Sequence, residues 1–280
     1  MSVIRSRANP KVKEIRRLLQ RKHRDPARLF LLEGWRLVGQ AVEGGVEIVR
    51  LVVAPELLTG DFVGVSRRLI RRSNAPVLEV APEVLLSISP QHGRQGIAAV
   101  ARQQWGRLEG MAPGAEDCYV AVKEIREPWS IGTILRTCEA VGGRGVILVG
   151  ESTDPYHPVA VRASLGAVLS QCLVKAGIGE LGAWARRHEV CVVGTSPTGE
   201  TDYREGLYRK PLVLFVGSER VGLSPEDEAL CDVMVRIPMV GRCESHHVAV
   251  ATGVVLYEIF DRGRGDSAGG VEKAPRVWQQ

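Results

Sequence analysis

Several features that would place this 280-residue chain quickly are missing. Its six cysteines, Cys118, Cys138, Cys172, Cys191, Cys231 and Cys243, are scattered with no Cys-x-x-Cys pair. That spacing fits neither a zinc module nor a disulfide framework, and reads as small buried hydrophobes in a reducing compartment. No run is apolar and long enough to cross a bilayer. The opening MSVIRSRANPKVKEIRRLLQ has basic residues but no apolar stretch behind them, so a secretory signal is not expected and a cytoplasmic location is. No G-x-G-x-x-G follows the strand expected at Tyr119–Ile125, and no G-x-x-x-x-G-K-[ST] occurs anywhere. An ordinary dinucleotide-binding or P-loop protein is therefore excluded.

Charge is what the chain does have, unevenly placed. Residues 1–105 carry 18 Lys and Arg against 9 Asp and Glu, and the remainder 19 against 23. Between Arg5 and Arg24 lie nine basic residues and one acid, Glu14: Arg5, Arg7, Lys11, Lys13, Arg16, Arg17, Arg21, Lys22 and Arg24. Arg67, Arg68, Arg71 and Arg72 form a second cluster. A solvated helix face would also account for such runs. Unbalanced charge of this density repels itself unless a partner neutralises it, which favours contact with the phosphates of a nucleic acid.

The hydrophobic pattern describes a mixed α/β protein in two parts. Apolar Val12, Ile15, Leu18 and Leu19 at helical spacing predict one helix over Asn9–Lys22, with Pro10 in its first turn. Strands are expected at Leu29–Leu32, Ile48–Ala54, Val77–Val80 and Ile97–Ala101, with a helix at Trp35–Val42 stopped by Gly44-Gly45. Residues 1–102 thus form a small α/β domain and 103–117 a linker. In residues 118–262, strands are expected at Tyr119–Ile125, Gly145–Val149, Val190–Gly194, Leu212–Val216 and Val233–Ile237. Helices are expected at Ile131–Val141, N-capped by Ser130, and at His246–Phe260. The unbroken apolar run LVLFVG implies a parallel sheet covered on both faces. Residues 263–280 are Gly-rich and polar, and read as disordered.

Three segments carry candidate chemistry. In EPWSIGTILRT, Glu127–Thr137, Arg136 sits near the middle of an apolar helix and must meet an anion or be partly exposed. In LVLFVGSERVGLSP, Leu212–Pro225, a buried strand runs into a loop with Gly217, Ser218, Glu219, Gly222 and Ser224, where ligands of open α/β sheets bind. In IPMVGRCESHHVAVATGVVLYE, Ile237–Glu258, Pro238 and Gly241 shape a loop before a helix rich in small residues. His246 and His247 lack the partner spacing of a metal site, so none is expected.

Together these segments resemble the SpoU (TrmH) family of RNA ribose 2′-O-methyltransferases in the SPOUT superfamily. The first is similar to the family's N-x-G-x-x-x-R motif, the second to G-x-E-x-x-G-[LM], and the third to I-P-M-x-G-x-x-x-S-L-N. VRASLGAV, Val161–Val168, fits an R-x-S-x-G element between the first two. Order and spacing agree over about 145 residues, Cys118–Arg262. The amino-terminal part, with LFLLEGWRLVGQAV, resembles the L30e-like RNA-binding domain of the family.

The resemblance implies an α/β SPOUT domain with a parallel sheet and a deep trefoil knot, a smaller L30e-like domain, and a homodimer formed through the carboxyl-terminal domain. It implies S-adenosylmethionine as cofactor, held by Gly217, Gly222, Leu223, Ile237, Met239 and His246. It assigns catalysis to Arg136, Glu219, Ser245 and His247 and favours ribosomal RNA over transfer RNA, while the charge run gives RNA contact to Arg5, Arg7, Lys11, Lys13, Arg16, Arg17, Arg21 and Lys22. Ser130 and His247 stand where the family has Asn, and His246 where it has Leu. His247 could then supply a base that titrates near neutral pH. A protein that binds RNA or the ribosome without turnover, a transfer-RNA methyltransferase and a SPOUT enzyme acting on a base atom are the competing readings.

Overall fold

The computed structural model describes residues 3–89, 95–218 and 220–265. Two sheets carry the chain. The smaller is built from β1 (Leu29–Glu33), β2 (Ile48–Val53), β3 (Val77–Glu79) and β4 (Ile97–Arg102), in the order β1-β4-β2-β3. Strand β4 runs antiparallel to both neighbours, and β2 pairs in parallel with β3, Val52 opposite Leu78. Helices α3 (Trp35–Glu43) and α4 (Asp61–Ser73) cover one face, and α1 (Pro10–Arg17) and α5 (Pro82–Ile88) the other. Helix α3 stops at Gly44, as the Gly44-Gly45 pair predicts. Helix α4 carries Arg67, Arg68, Arg71 and Arg72, all exposed.

The expected single helix over Asn9–Lys22 is two. Asn9 caps α1, its Oδ1 accepting from the Lys11 amide at 3.0 Å. After Arg17 the chain tightens, the amides of Leu18 and Gln20 donating three residues back at 3.0 and 2.9 Å. It restarts as α2 (Arg21–Ala27). The break lets Arg24 turn inward, where Nη1 donates to the Leu18 carbonyl at 2.8 Å.

The larger sheet has seven parallel strands: β5 (Cys118–Lys123), β6 (Gly145–Val149), β7 (Cys172–Ala176), β8 (Cys191–Thr195), β9 (Thr201–Asp202), β10 (Leu212–Val216) and β11 (Val233–Arg236). Their order is β7-β6-β5-β10-β8-β11-β9. The two-sided burial expected of LVLFVG holds, since all five residues of β10 are buried. Leu214 and Val216 face one core with Val120 and Val122, and Val213 and Phe215 face the other with Tyr119 and Ala121. Helices α6 (Pro128–Ala140), α7 (Pro158–Ala163) and α10 (Val248–Gly265) lie against the first core and α8 (Ile178–Arg187) against the second, while the short α9 (Pro225–Glu228) follows β10. Strands β7 and β9, at the sheet's two edges, had no signal in the pattern. The sequence progresses outward from β5 to β7, then returns on the other side, so order reverses between β5 and β10. Ligands bind beyond the carboxyl ends of strands at such a reversal.

The two sheets share one continuous core, in which Phe30, Val38 and Ala99 join Val120, Ile134 and Leu214. Residues 103–117 also pack: Leu108 is buried, and the Gly106 amide donates to the Leu173 carbonyl at 2.8 Å. At the junction Arg24, fully buried, donates to Asp154 Oδ2 from Nε at 2.9 Å and Nη2 at 2.7 Å. Asp154 Oδ1 accepts from the Tyr156 amide at 2.8 Å, and the Tyr156 ring lies 4.6 Å from that of Phe30. Helix α10 runs to Gly265, past the expected end at Phe260. Arg262 ties its last turn to Glu258 at 2.7 Å and to the Gly206 carbonyl at 2.8 Å. Of the tail expected to be disordered from residue 263, Gly263–Gly265 continue α10 because Arg262 ties the helix end to the Gly206 carbonyl, and the rest lies outside the described residues. None of the described helices is long and apolar enough to cross a membrane.

Candidate active site

Beyond the carboxyl ends of β8, β10 and β11, three loops and the first turn of α10 enclose a cleft of about 380 Å³. Gly217, Gly222, Leu223, Ile237, Met239 and His246, the residues predicted to hold a cofactor, all line it, and so does Ser245. The loop after β10 closes on itself, the Gly222 amide donating to the Ser218 carbonyl at 2.9 Å. A Cβ at Gly217 would sit 2.1 Å from the Gly222 carbonyl oxygen, so only glycine permits that closure. Gly222 has φ +70°, which other residues adopt only with strain. Leu223, Val235 and Val248 are buried beneath the loops and supply an apolar floor.

The base of this loop is pinned by Ser224 together with Lys123 and Asp227, of which the last two had no sequence signal. Asp227 is fully buried and receives Lys123 Nζ at 2.6 Å and, from Ser224, the amide at 2.8 Å and the hydroxyl at 2.6 Å. Burial would raise the Asp227 pKa, but the hydrogen bonds from Lys123 and Ser224 outweigh it and hold the carboxyl below its ordinary range. Since Lys123 ends β5, the pair fixes the loop to the strand beside β10. The loop after β8, Thr195–Thr198, lines the cleft as well. Its position at a strand's carboxyl end could have marked it.

Ser130 does not cap α6. The helix begins three residues earlier than expected, at Pro128, with Glu127 in the capping position, because Pro128 suits a first turn. Ser130 is instead buried within the helix, its Oγ 3.4 Å from His247 Nε2. His247 precedes α10, where its Nδ1 accepts from the Ala249 amide at 3.2 Å, and its ring meets that of Trp129 edge-on at 5.2 Å. Two of the positions that depart from the family pattern therefore face each other. The motif glycine, Gly132, is set by packing: a Cβ there would lie 2.4 Å from the Ala160 carbonyl oxygen of α7. Arg136, one turn on, is exposed, and no ion pair or hydrogen bond reaches it among the described residues. It does not line the cleft. Glu219 lies outside the described residues.

The basic segment divides. Arg5 pairs with Glu56 at 3.4 Å, Arg7 donates to the Glu83 carbonyl at 3.2 Å, and Arg21 pairs with Asp25 at 3.2 Å. No ion pair reaches Lys11, Lys13, Arg16, Arg17 or Lys22 among the described residues, while Arg24 is a structural ion at the junction. The cysteines are free, and Cys118, Cys138 and Cys191 are buried, but Cys243 is exposed in the loop after β11. No metal-binding cluster occurs among the described residues.

A parallel sheet with a glycine-loop cleft at its order reversal defines a ligand-binding α/β protein, and the basic domain joined to it suits a polyanionic partner. Comparison with known proteins narrows it. The SpoU rRNA methylase family matches residues 117–257, and the MRM3-like substrate-binding domain matches residues 9–99. The chain is 30% identical, over 85% of its length and 84% of the relative's, to the 23S rRNA (uridine(2479)-2′-O)-methyltransferase of Streptomyces viridochromogenes. An AdoMet-bound rRNA methyltransferase from Sinorhizobium meliloti superposes with a TM-score of 0.85 at 37% identity, covering 93% of this chain and 98% of that one. The AdoMet complex of the SpoU methyltransferase AviRb from Streptomyces viridochromogenes gives 0.84 at 29% identity, covering 91% and 98%. The chain belongs to the SpoU rRNA methylase family.

Proposed function

We propose that this protein transfers a methyl group from S-adenosylmethionine to a ribose 2′-hydroxyl of ribosomal RNA. The observation that carries this is the single cleft in which all six residues expected at the cofactor meet. Its volume falls in the range of small-molecule sites, about 300–1,000 Å³. Its walls suit the cofactor's chemistry: Leu223, Ile237, Met239 and Val248 offer apolar surface to a flat base and a thioether chain. The backbone at Gly217 and Gly222 can approach polar edges closely. The relatives bound to AdoMet or named as acting on rRNA support both the cofactor and the substrate class.

When bound, the cofactor supplies an electrophilic methyl on a sulfonium with a neutral leaving group. The chain's own task is to hold the hydroxyl in line and stabilise charge as its proton leaves. A guanidinium does not deprotonate in proteins, so Arg136 serves as an anion holder for the neighbouring phosphate and the developing oxyanion. Ser245, which lines the cleft, helps orient the ribose, a role that the resemblance also gives to Glu219. His247 acts as a positioning residue: its Nδ1 accepts from the Ala249 amide, and its Nε2 faces the Ser130 hydroxyl. His247→Asn preserves a helix-capping side chain, and we expect its pH–rate profile to match wild type. A lost limb in that profile would make His247 the base instead.

Lys11, Lys13, Arg17 and Lys22 add phosphate contacts from α1 and α2. Exposed Trp129, Val250 and Tyr257 on α6 and α10 support a homodimer through these helices. The entry of β10 between β5 and β8 supports the trefoil threading. Free thiols and an RNA substrate support a cytoplasmic location. The direct test maps 2′-O-methyl groups in ribosomal RNA with and without the gene, beside calorimetry with S-adenosylmethionine. Loss of one methylated nucleotide when the gene is removed is the expected result. Cofactor binding with no such site, or no cofactor heat at all, overturns the reading.

A further inference from the structure

A second groove, of about 590 Å³, lies at the opposite edge of the large sheet, beside β7. The cleft described above opens at β8, β10 and β11, so the two are separated by β5 and β6. The groove is lined by Arg28 after α2, by Trp105 and Arg107 of the segment joining the sheets, by Lys175 of β7, and by Arg187 at the end of α8. Parts of the molecule distant in sequence thus bring four cations to one wall. No ion pair reaches Arg28, Arg107, Lys175 or Arg187 among the described residues. Two acids also line the groove, Glu109 and Glu180. Glu180 is already engaged, its Oε2 accepting from the Gly177 amide at the start of α8 at 2.6 Å.

The aromatic wall is fixed in place. Trp105 Nε1 donates to Gln103 Oε1 at 2.9 Å, and Gln103 Nε2 is held by the Leu29 carbonyl at 3.2 Å. The ring meets Tyr156 edge-on at 5.4 Å, and Lys175 Nζ stands 4.4 Å from its centroid. Lys175 is thereby ordered before any ligand arrives. Lys175 also lines the next hollow along the sheet's carboxyl edge, where Arg21 and Arg126 stand with Glu124 and Glu151. Cations spaced along a groove with a rigid aromatic among them are what a single nucleic-acid strand requires: charge for successive phosphates and a flat face for a base or ribose.

We propose that this groove binds a single-stranded segment of the substrate RNA, its phosphates on Arg28, Arg107, Lys175 and Arg187 and a base against Trp105. The proposal rests on the RNA-modifying reading but concerns a surface separate from the cofactor cleft. It is tested on the full chain by fluorescence anisotropy with a labelled single-stranded RNA of about 12 nucleotides over a salt series. Each phosphate contact contributes roughly 0.7 to the logarithmic salt slope for a single strand. Replacing Arg28, Arg107 and Arg187 together by Gln is expected to lower that slope by about 2. Trp105→Ala is expected to weaken binding about fivefold or more, and Trp105→Phe to retain it. Trp105 is half-buried, so the exposed-arginine triple variant decides the matter where Trp105→Ala fails to fold. Calorimetry with S-adenosylmethionine should be unchanged in every variant. RNA binding is read independently of methyl transfer, so an inactive wild type leaves the test standing. Wild-type affinity and slope in the triple variant overturn the proposal, as does a wild type that does not bind the probe. Displacement of the RNA by polyglutamate as effectively as by unlabelled RNA would assign the groove to an acidic protein and overturn it too.

Discussion

The junction between the sheets and the cleft beyond β10 treat polar groups in opposite ways. At the junction Arg24 and Asp154 are buried together, and each is bonded again by backbone, to Leu18 and from Tyr156. In the cleft, glycines and exposed loop residues present backbone and side chains to open space, and the buried carboxylate, Asp227, stands behind the loop as its anchor. Charge taken out of water must be matched inside the protein, whereas a surface built to bind must leave its partners outside. The basic amino-terminal segment shows both solutions within one stretch: Arg24 is sealed in, and Lys11, Lys13, Arg17 and Lys22 stay in solvent.

The sharpest way to break this contrast is to unmatch the junction. Arg24→Met leaves Asp154 buried without its cation and should cost about 3–5 kcal/mol in urea unfolding. A cost below about 1 kcal/mol would mean that water reaches the pair. On the open side, Arg136→Ala should slow methyl transfer roughly a hundred- to a thousandfold while leaving unfolding unchanged. Wild-type turnover would remove Arg136 from the chemistry. Gly222→Val forces a branched side chain into positive φ and should cost about 1–3 kcal/mol, with weaker S-adenosylmethionine binding by calorimetry. Intact stability and affinity would show that the loop relaxes freely.

The smallest effect concerns His157, which caps α7 beside the junction, Nδ1 accepting from the Val159 amide at 3.2 Å. Burial and the charge of Arg24 hold its pKa below the usual 6.5, against the pull of Asp154. The unfolded chain therefore takes up the proton first as pH falls. The stability due to this ring is present above pH 6.5 and is lost as pH drops from there through the depressed folded value. Asn at this position keeps a capping acceptor and cannot titrate, so His157→Asn should flatten that acid limb in unfolding measured across about pH 7 to 5. An unchanged limb would place the titration elsewhere.

Much of this was legible along the chain. Unbroken apolar strands gave the parallel sheet, because both faces of β10 are covered. The resemblance of the loop motifs grouped Gly217, Gly222, Ile237 and Met239 in one site, and loops at neighbouring strand ends need only lie side by side to meet. Lys123 and Asp227 were not legible: their contact spans 104 residues, and nothing local distinguishes them from surface charges. Ser130 read as a cap because a short hydroxyl near a helix start has that use, whereas Pro128 began the helix earlier and left Ser130 against His247. Edge strand β7 was missed because exposed Lys175 interrupts its apolar run.

Local sequence by itself determined the strands with unbroken apolar runs, the glycine loops and the basic bias of the first hundred residues, since each depends on neighbours within a turn or a strand. Only the tertiary structure decided which of those charges would be structural and which free. It turned Arg24 toward Asp154, set Lys175 over Trp105 and left Arg136 in solvent. Whether a cation serves the fold or a ligand depends on what packing brings beside it, and that is fixed by contacts far apart in the chain.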